Sequence, residues 1–393
     1  MSRTSGGTIL AVLLGLSLAT AACAPAPSAP PSSATAPAAD RAAPAEAAAA
    51  ASPPFAPLLQ QLIEGAKREP TFRGQWSPNI LGGAAGLNTL IAGMNKKYGL
   101  NVQAQFTPGR DMNAMAELLA QELAAGQPAS SDAYMGHGPG MLIALKHDLL
   151  VPMDWDAILD RPIPADPDFD PYAPGRTGVA YGASVGGLTY NTNLVRPDEV
   201  PRRLDDVLLP RWKGVVASTP YAFGMRELAM PDMLGREWAV DYTTRLARQI
   251  GGVMRCGDEA RVGSGEFAIF VMSCGQENVI PLQKNGAPMA FTTLADGAAM
   301  LTYYGAVPRN SSAPNTAALF VAYLESPEGQ QALWEVAYRD LWVYPESNSR
   351  QAIESIKAAG GKLATSSPQW LASITGFTEM QNELEKILQQ TGQ

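Results

Sequence analysis

The spacing of apolar positions divides this chain into helices and strands before any side-chain chemistry is considered. Over residues 55–68, Leu58, Leu59, Leu62, Ile63 and Ala66 recur at the spacing of a helix buried on one face. Thr71–Trp76 then reads as a short first strand. Residues 86–98 return to helical spacing through Leu87, Leu90, Ile91 and Met94, and Gly99 is a natural stop. Alternation predicts a second strand over 100–106, followed by a helix over 112–125 closed by Gly126. A brief strand over 132–135 halts in Gly136-His137-Gly138-Pro139, and Met141 to Leu145 begin the next helix. Strand and helix alternating at this spacing predict an α/β lobe with a mostly parallel sheet.

The second half repeats the alternation with a difference. Val179-Ala180-Tyr181 and Leu188-Thr189-Tyr190 are strand-like and flank a glycine-rich centre. A strand is predicted over 213–218, then Thr219-Pro220 and helical patterns as far as Ile250. Residues 267–272, Met289–Thr292 and 299–304 read as extended. Helices follow over 315–323 and 327–338, the latter opened by Ser326-Pro327, and the last covers Phe377–Gln389. No internal repeat is present.

The first 54 residues change the picture. Arg3, an apolar stretch from Ile9 to Leu18 and the small residues before Cys23 have the order of a secretory signal, with an apolar core too short to span a bilayer. Residues 1–23 are therefore expected to be a lipoprotein-type signal in which Cys23 is acylated; Thr20 stands where such signals prefer Leu, so cleavage elsewhere is the alternative. From Ala24 to Pro54 every residue except Thr35, Asp40, Arg41 and Glu46 is Ala, Pro or Ser, a composition that reads as an extended tether. The folded part is expected outside the cytoplasm, in the periplasm or cell envelope, reaching a membrane only through the lipid on Cys23.

With 29 basic and 37 acidic residues (net charge −8), the chain lacks the basic balance that nucleic acid requires. Cys256 and Cys274, two cysteines in an oxidising compartment, predict a structural disulfide; they lack C-x-x-C spacing, and no histidine is near.

Gly182-Ala183-Ser184-Val185-Gly186 spells G-x-S-x-G, yet a nucleophile elbow needs a helix after the serine and a later histidine. Strand-like Leu188-Thr189-Tyr190 follows instead, and His137 and His147 both precede Ser184, so hydrolase chemistry is not expected. The two histidines also lack H-E-x-x-H spacing. His147 reads as a solvated helix end. His137, between glycines just past a strand, is a pocket candidate, the alternative being an exposed loop histidine. Tyr303-Tyr304 could suggest ferric-iron ligation but sit in the apolar run Met300-Leu301-Thr302, where alternation between core and surface explains them. The stretch Leu81-Gly82-Gly83-Ala84-Ala85-Gly86 lacks both G-x-G-x-x-G and P-loop spacing. Thr219-Pro220-Tyr221 opens a helix after a strand, a place that suits an anion. Arg226, one turn on, pairs with a carboxylate or phosphate, or faces solvent; both readings stay open.

Over most of residues 55–393 the chain resembles the extracellular solute-binding proteins of ABC importers, in the group that includes ferric-iron, thiamine and putrescine binders. Ile63-Glu64-Gly65-Ala66-Lys67-Arg68-Glu69 is similar to that family's opening "AKKEG" helix, with Pro70 in place of the usual glycine. Asn95-Lys96-Lys97-Tyr98-Gly99, the strand ending Tyr190-Asn191-Thr192, and Leu208-Leu209-Pro210-Arg211-Trp212-Lys213-Gly214 follow in the family's order. Gly263-Ser264-Gly265-Glu266, Asn285-Gly286-Ala287-Pro288 and Leu324-Glu325-Ser326-Pro327-Glu328-Gly329-Gln330 complete it. Iron binders carry adjacent tyrosines after the "GE" segment, where this chain has none, so their ligands do not carry over and an organic or anionic solute is expected.

The resemblance implies two α/β lobes with mostly parallel sheets, joined by extended crossovers near 181–188 and 295–300. Lobe 1 is expected to take 55–181 plus 295–393, and lobe 2 residues 182–294. The implied role is capture of a small solute between the lobes for an ABC permease, by a monomer without cofactor, metal or catalytic residues. Ferric iron or another metal, or presentation of the ligand to a sensor, are the alternative readings. Pocket candidates are Trp76, Ser77 and Asn79 after the first strand, His137 and Gly138 after the third, Ser184 at the crossover, and Thr219, Tyr221 and Arg226 from lobe 2.

Overall fold

A computed structural model describes residues 56–389 apart from Asn79; Cys23, the signal and the tether lie outside the described residues. The strands are β1 Thr71–Trp76, β2 Gln103–Pro108, β3 Tyr134–His137, β4 Gly178–Val185, β5 Gly187–Asn191, β6 Val216–Ser218, β7 Gly252–Val253, β8 Ile269–Ser273, β9 Met289–Thr292, β10 Gly297–Ala306 and β11 Lys362–Ala364. They make an α/β fold of two lobes.

In the first lobe β1 runs parallel to β2, from Thr71 opposite Gln103 to Trp76 opposite Pro108. The other edge of β1 is held by residues 131–132: Arg73 N donates to Asp132 Oδ2 (2.7 Å) and Gln75 N to Ser131 Oγ (3.1 Å). The long strand β10 lies antiparallel to β3 and β4 and parallel to β11. Every residue of β4 is buried, because helices cover both faces of this sheet and remove the need for alternation. Pro314–Glu325 is buried from Thr316 onward and forms the centre of this lobe's core.

The second lobe is one five-stranded sheet in the order β7-β6-β8-β5-β9. Here β6 is parallel to β7 and β8, whereas β5 is antiparallel to β8 and β9. The sheets are thus mixed where mostly parallel ones were expected. The reason is the crossovers: β5 and β10 each enter a sheet from the other lobe, β5 running against β8 and β9 and β10 against β3 and β4.

The first crossover is tight. The chain leaves β4 at Val185 and starts β5 at Gly187, and Gly186 N donates to Ala299 O of the returning strand (2.8 Å). A Cβ on Gly186 would sit 3.0 Å from both that oxygen and the Phe223 ring, which accounts for glycine there. The return runs from β9 to β10 between Thr292 and Gly297.

A third crossing was not expected. After β11 the short helix Pro368–Ser373 packs on Gly138–Lys146 of the first lobe. The final helix Phe377–Gln389 then packs on Met225–Leu228 and Arg236–Ala247, burying Met380, Leu384 and Leu388 in the core of the second. Residues 377–389 therefore pack with the helices of the second lobe, whereas the resemblance implied 295–393 in lobe 1 as a block. Their apolar face fits a groove that only the folded second lobe provides.

Candidate functional site

The carboxyl ends of β1 and β3 face those of β6, β7 and β8 across a cavity of about 500 Å³, the place where open α/β sheets present ligands. Ser77 and Ile80 enter it just after β1, and Asp111, Met112 and Asn113 from the start of helix Met112–Ala124. Asp111 caps that helix, its Oδ1 accepting from Ala114 N at 3.0 Å. His137 ends β3 and caps Gly138–Lys146, its Nδ1 accepting from Gly140 N (3.3 Å). That bond places the imidazole proton on Nε2. Burial pushes His137 down to about 4, so it is a neutral donor at physiological pH.

The second lobe contributes Tyr221, the disulfide of Cys256 and Cys274, Glu277 and Asn278. Tyr221 hydroxyl accepts from Cys256 N (3.1 Å) and lies 3.9 Å from Cys274 Sγ, so the disulfide fixes this ring. Beneath it Glu259 is buried, with Oε2 accepting from Gly257 N (2.7 Å) and Oε1 without a partner. Burial raises Glu259 to about 7.

Between the two halves stands Arg339. Helix Pro327–Ala337 ends at Tyr338 with a φ of 50°, and this left-handed residue turns the next side chain inward. The segment is sewn to β4, since Ala183 N donates to Asp340 O (3.1 Å). Gly182 admits the stem, as a Cβ there would lie 3.2 Å from Arg339 Cγ. Arg339 is only 3% exposed; its Nε donates to Ser184 Oγ (3.0 Å), its Nη2 pairs with Glu277 Oε1 (3.3 Å), and the guanidinium lies 4.0 Å from the Tyr303 ring centre. Its Nη1 has no partner.

The signature of the bacterial extracellular solute-binding protein family matches residues 89–358. The chain belongs to that family. This bacterial solute-binding protein is also 27% identical over 239 residues to the phosphoglycerate transport regulatory protein PgtC of Salmonella typhimurium; the match takes 57% of the chain and spans 56% of that relative's length. Three solved structures share its fold. The spermidine/putrescine-binding PotD of Streptococcus pneumoniae has a TM-score of 0.59 at 16% identity, over 81% of this chain and 99% of that one. Iron-bound HitA of Pseudomonas aeruginosa gives 0.59 at 18%, again over 81% and 99%. AfuA of Actinobacillus pleuropneumoniae, with fructose-6-phosphate bound, gives 0.58 at 16% over the same shares. The family is one of binding proteins, not enzymes.

Of the candidates read from the sequence, the solute-binding protein brings Ser77, His137 and Tyr221 together on the cavity wall. Ser184 stands directly behind it, donating to Tyr303 hydroxyl (3.3 Å) and accepting from Arg339. It lies inside strand β4, the geometry of a support and not of a nucleophile elbow. Gly138 opens its helix against the Ser366 carbonyl and does not line the cavity. Trp76 is 1% exposed and packs between Phe72 and Phe106 in the core. Thr219 spends its hydroxyl on Phe223 N (2.9 Å). Arg226 turns to the last helix: it pairs with Glu227 (2.7 Å), donates to Gln381 Oε1 (3.0 Å) and lies over the Phe377 ring. Asn79 lies outside the described residues. Arg339, Glu277 and Asp111 were missed. The one available signal was a charged pair, Arg339-Asp340, pressed against the apolar run Leu341-Trp342-Val343.

Proposed function

We propose that this protein captures a small organic or anionic solute between its lobes and delivers it to an ABC importer, with the folded part tethered outside the cytoplasm by a lipid on Cys23. The carrying observation is a cavity at the strand ends that is lined from both lobes and walled by a buried guanidinium whose Nη1 is unsatisfied. A solute touching both walls stabilises the closed arrangement over the open one, which is how such a clamp converts binding into a shape a permease can read. The proposed lobe division is 56–181 with 295–373 against 182–294 with 377–389.

Ferric iron is disfavoured. Tyr303 hydroxyl is bonded to Ser184, Tyr304 is in a different part of the core, and burial pushes both phenols up, away from phenolate. No group of three or more His, Cys, Asp or Glu among the described residues is placed to hold a metal. The sensor-partner reading draws support from the regulatory protein among the relatives, and the same cavity would serve it.

The test is a thermal-shift screen of carboxylates, amines, zwitterions, phosphorylated compounds and metal ions. For a micromolar ligand, about −8 kcal/mol of binding, saturation at 100 times Kd raises stability by about 2.7 kcal/mol. A reproducible rise with one class supports solute capture; no rise with any class counts against it.

A further inference from the structure

Resting on solute capture in this cavity, we infer that its ligand is a zwitterion: a small organic solute bearing one acidic group and one ammonium group on a short apolar skeleton. The anionic end is assigned by Arg339. Its guanidinium is almost wholly buried in the cavity wall, two of its three nitrogens are engaged by Ser184 and Glu277, and the buried Nη1 has no acceptor among the described residues. A buried donor without an acceptor is costly, and a planar guanidinium matches a carboxylate or a similar oxyanion.

The charge balance of the wall assigns the other end. Asp111 and Glu277 are its carboxylates, Arg339 is its cation, and His137 is neutral. One oxygen of each acid is used, Asp111 Oδ1 on Ala114 N and Glu277 Oε1 on Arg339. Asp111 Oδ2 and Glu277 Oε2 accept nothing from the described residues. Beyond the wall, Arg226 is paired with Glu227, and Arg255 and the buried Glu259 flank Tyr221 from behind. A multiply charged phosphate ester would meet two carboxylates around a single guanidinium, and a polyamine would leave that guanidinium bare. A solute with one charge of each sign satisfies both ends, while Ile80, Met112, Leu301 and the Tyr303 ring line the space between.

The experiment is calorimetric titration of the full-length protein with standard amino acids, 4-aminobutyrate, 2-aminoethylphosphonate and taurine. Each is run beside the matching acid without its amine and the amine without its acid. The expected result is saturable binding of at least one zwitterion, with both halves at least about 10-fold weaker, and a further loss of about 10- to 100-fold in R339M, the scale of a hydrogen bond to a charged group. D111N and E277Q should weaken the zwitterion but not its deaminated acid, and they carry the test if R339M does not fold. Zwitterion binding that is unchanged in all three variants overturns the assignment. Binding of only phosphorylated compounds, polyamines or metal ions also overturns it while leaving solute capture standing; silence from every class removes both.

Discussion

His137 and Glu325 show how single buried groups set opposite pH responses. Burial lowers His137 from 6.5 to about 4, so the unfolded chain takes up a proton first and stability is lost as pH falls from 6.5 towards 4. Burial raises Glu325 from 4.5 to about 8, where Tyr344 hydroxyl donates to its Oε2 at 2.9 Å. The folded state then keeps a proton that the unfolded chain has released, and stability is lost as pH climbs from 4.5 to 8. Glu259 adds the same slope up to about 7. Below pH 6.5 these effects oppose one another; above it only the carboxyls remain. The melting temperature should therefore decline between pH 6.5 and 8, and E325Q should flatten the curve above pH 7. A wild-type curve already flat over that interval would remove Glu325 as its source.

At the scale of elements, the disulfide does two jobs. It closes a loop with a sequence separation of 18 residues, worth about 3 kcal/mol in the loop-entropy account, and it holds Tyr221 against the cavity. The double variant C256S/C274S should lose about that stability by urea denaturation and bind solute more weakly as well. Full affinity in a folded double variant would show that Tyr221 needs no such support. Several elements were legible in the chain: Thr71–Trp76, Met289–Thr292 and Phe377–Gln389 lie where the sequence pattern put them. The two-residue β7, the three-residue β11 and helix Arg350–Ala358 were not read, because each exists through its partner. β11 pairs only at Gly297–Ala299, and Arg350–Ala358 buries little beyond Ile353 and Ile356. Strands of two or three residues carry too few apolar positions to show a period.

At the scale of the molecule, two extended crossings and one helical crossing join the lobes, and side-chain contacts among the described residues tie the walls of the cleft together. Arg339 pairs with Glu277, and Lys284 Nζ donates to Tyr338 hydroxyl at 3.0 Å. Solute binding between these walls should favour closure, and small-angle scattering should record a smaller radius of gyration for the saturated protein than for the free one. An unchanged radius on saturation would mean that capture does not proceed through lobe closure.

Local sequence by itself determined the alternating strand–helix units and the cysteine pair, which depend on spacing within a few dozen residues, and the order of short motifs along the chain pointed to the family and to a crossover near 181–188. It also brought forward Ser77, His137 and Tyr221, which lie at or just past the ends of strands. Only the tertiary structure decided that Arg339 and Glu277, 62 residues apart, meet in one cavity, that Arg226 serves the last helix, and that this helix joins the second lobe. The physical reason is that a side chain's partner across a cleft is chosen by how sheets and helices pack, and no periodicity along the chain encodes that choice.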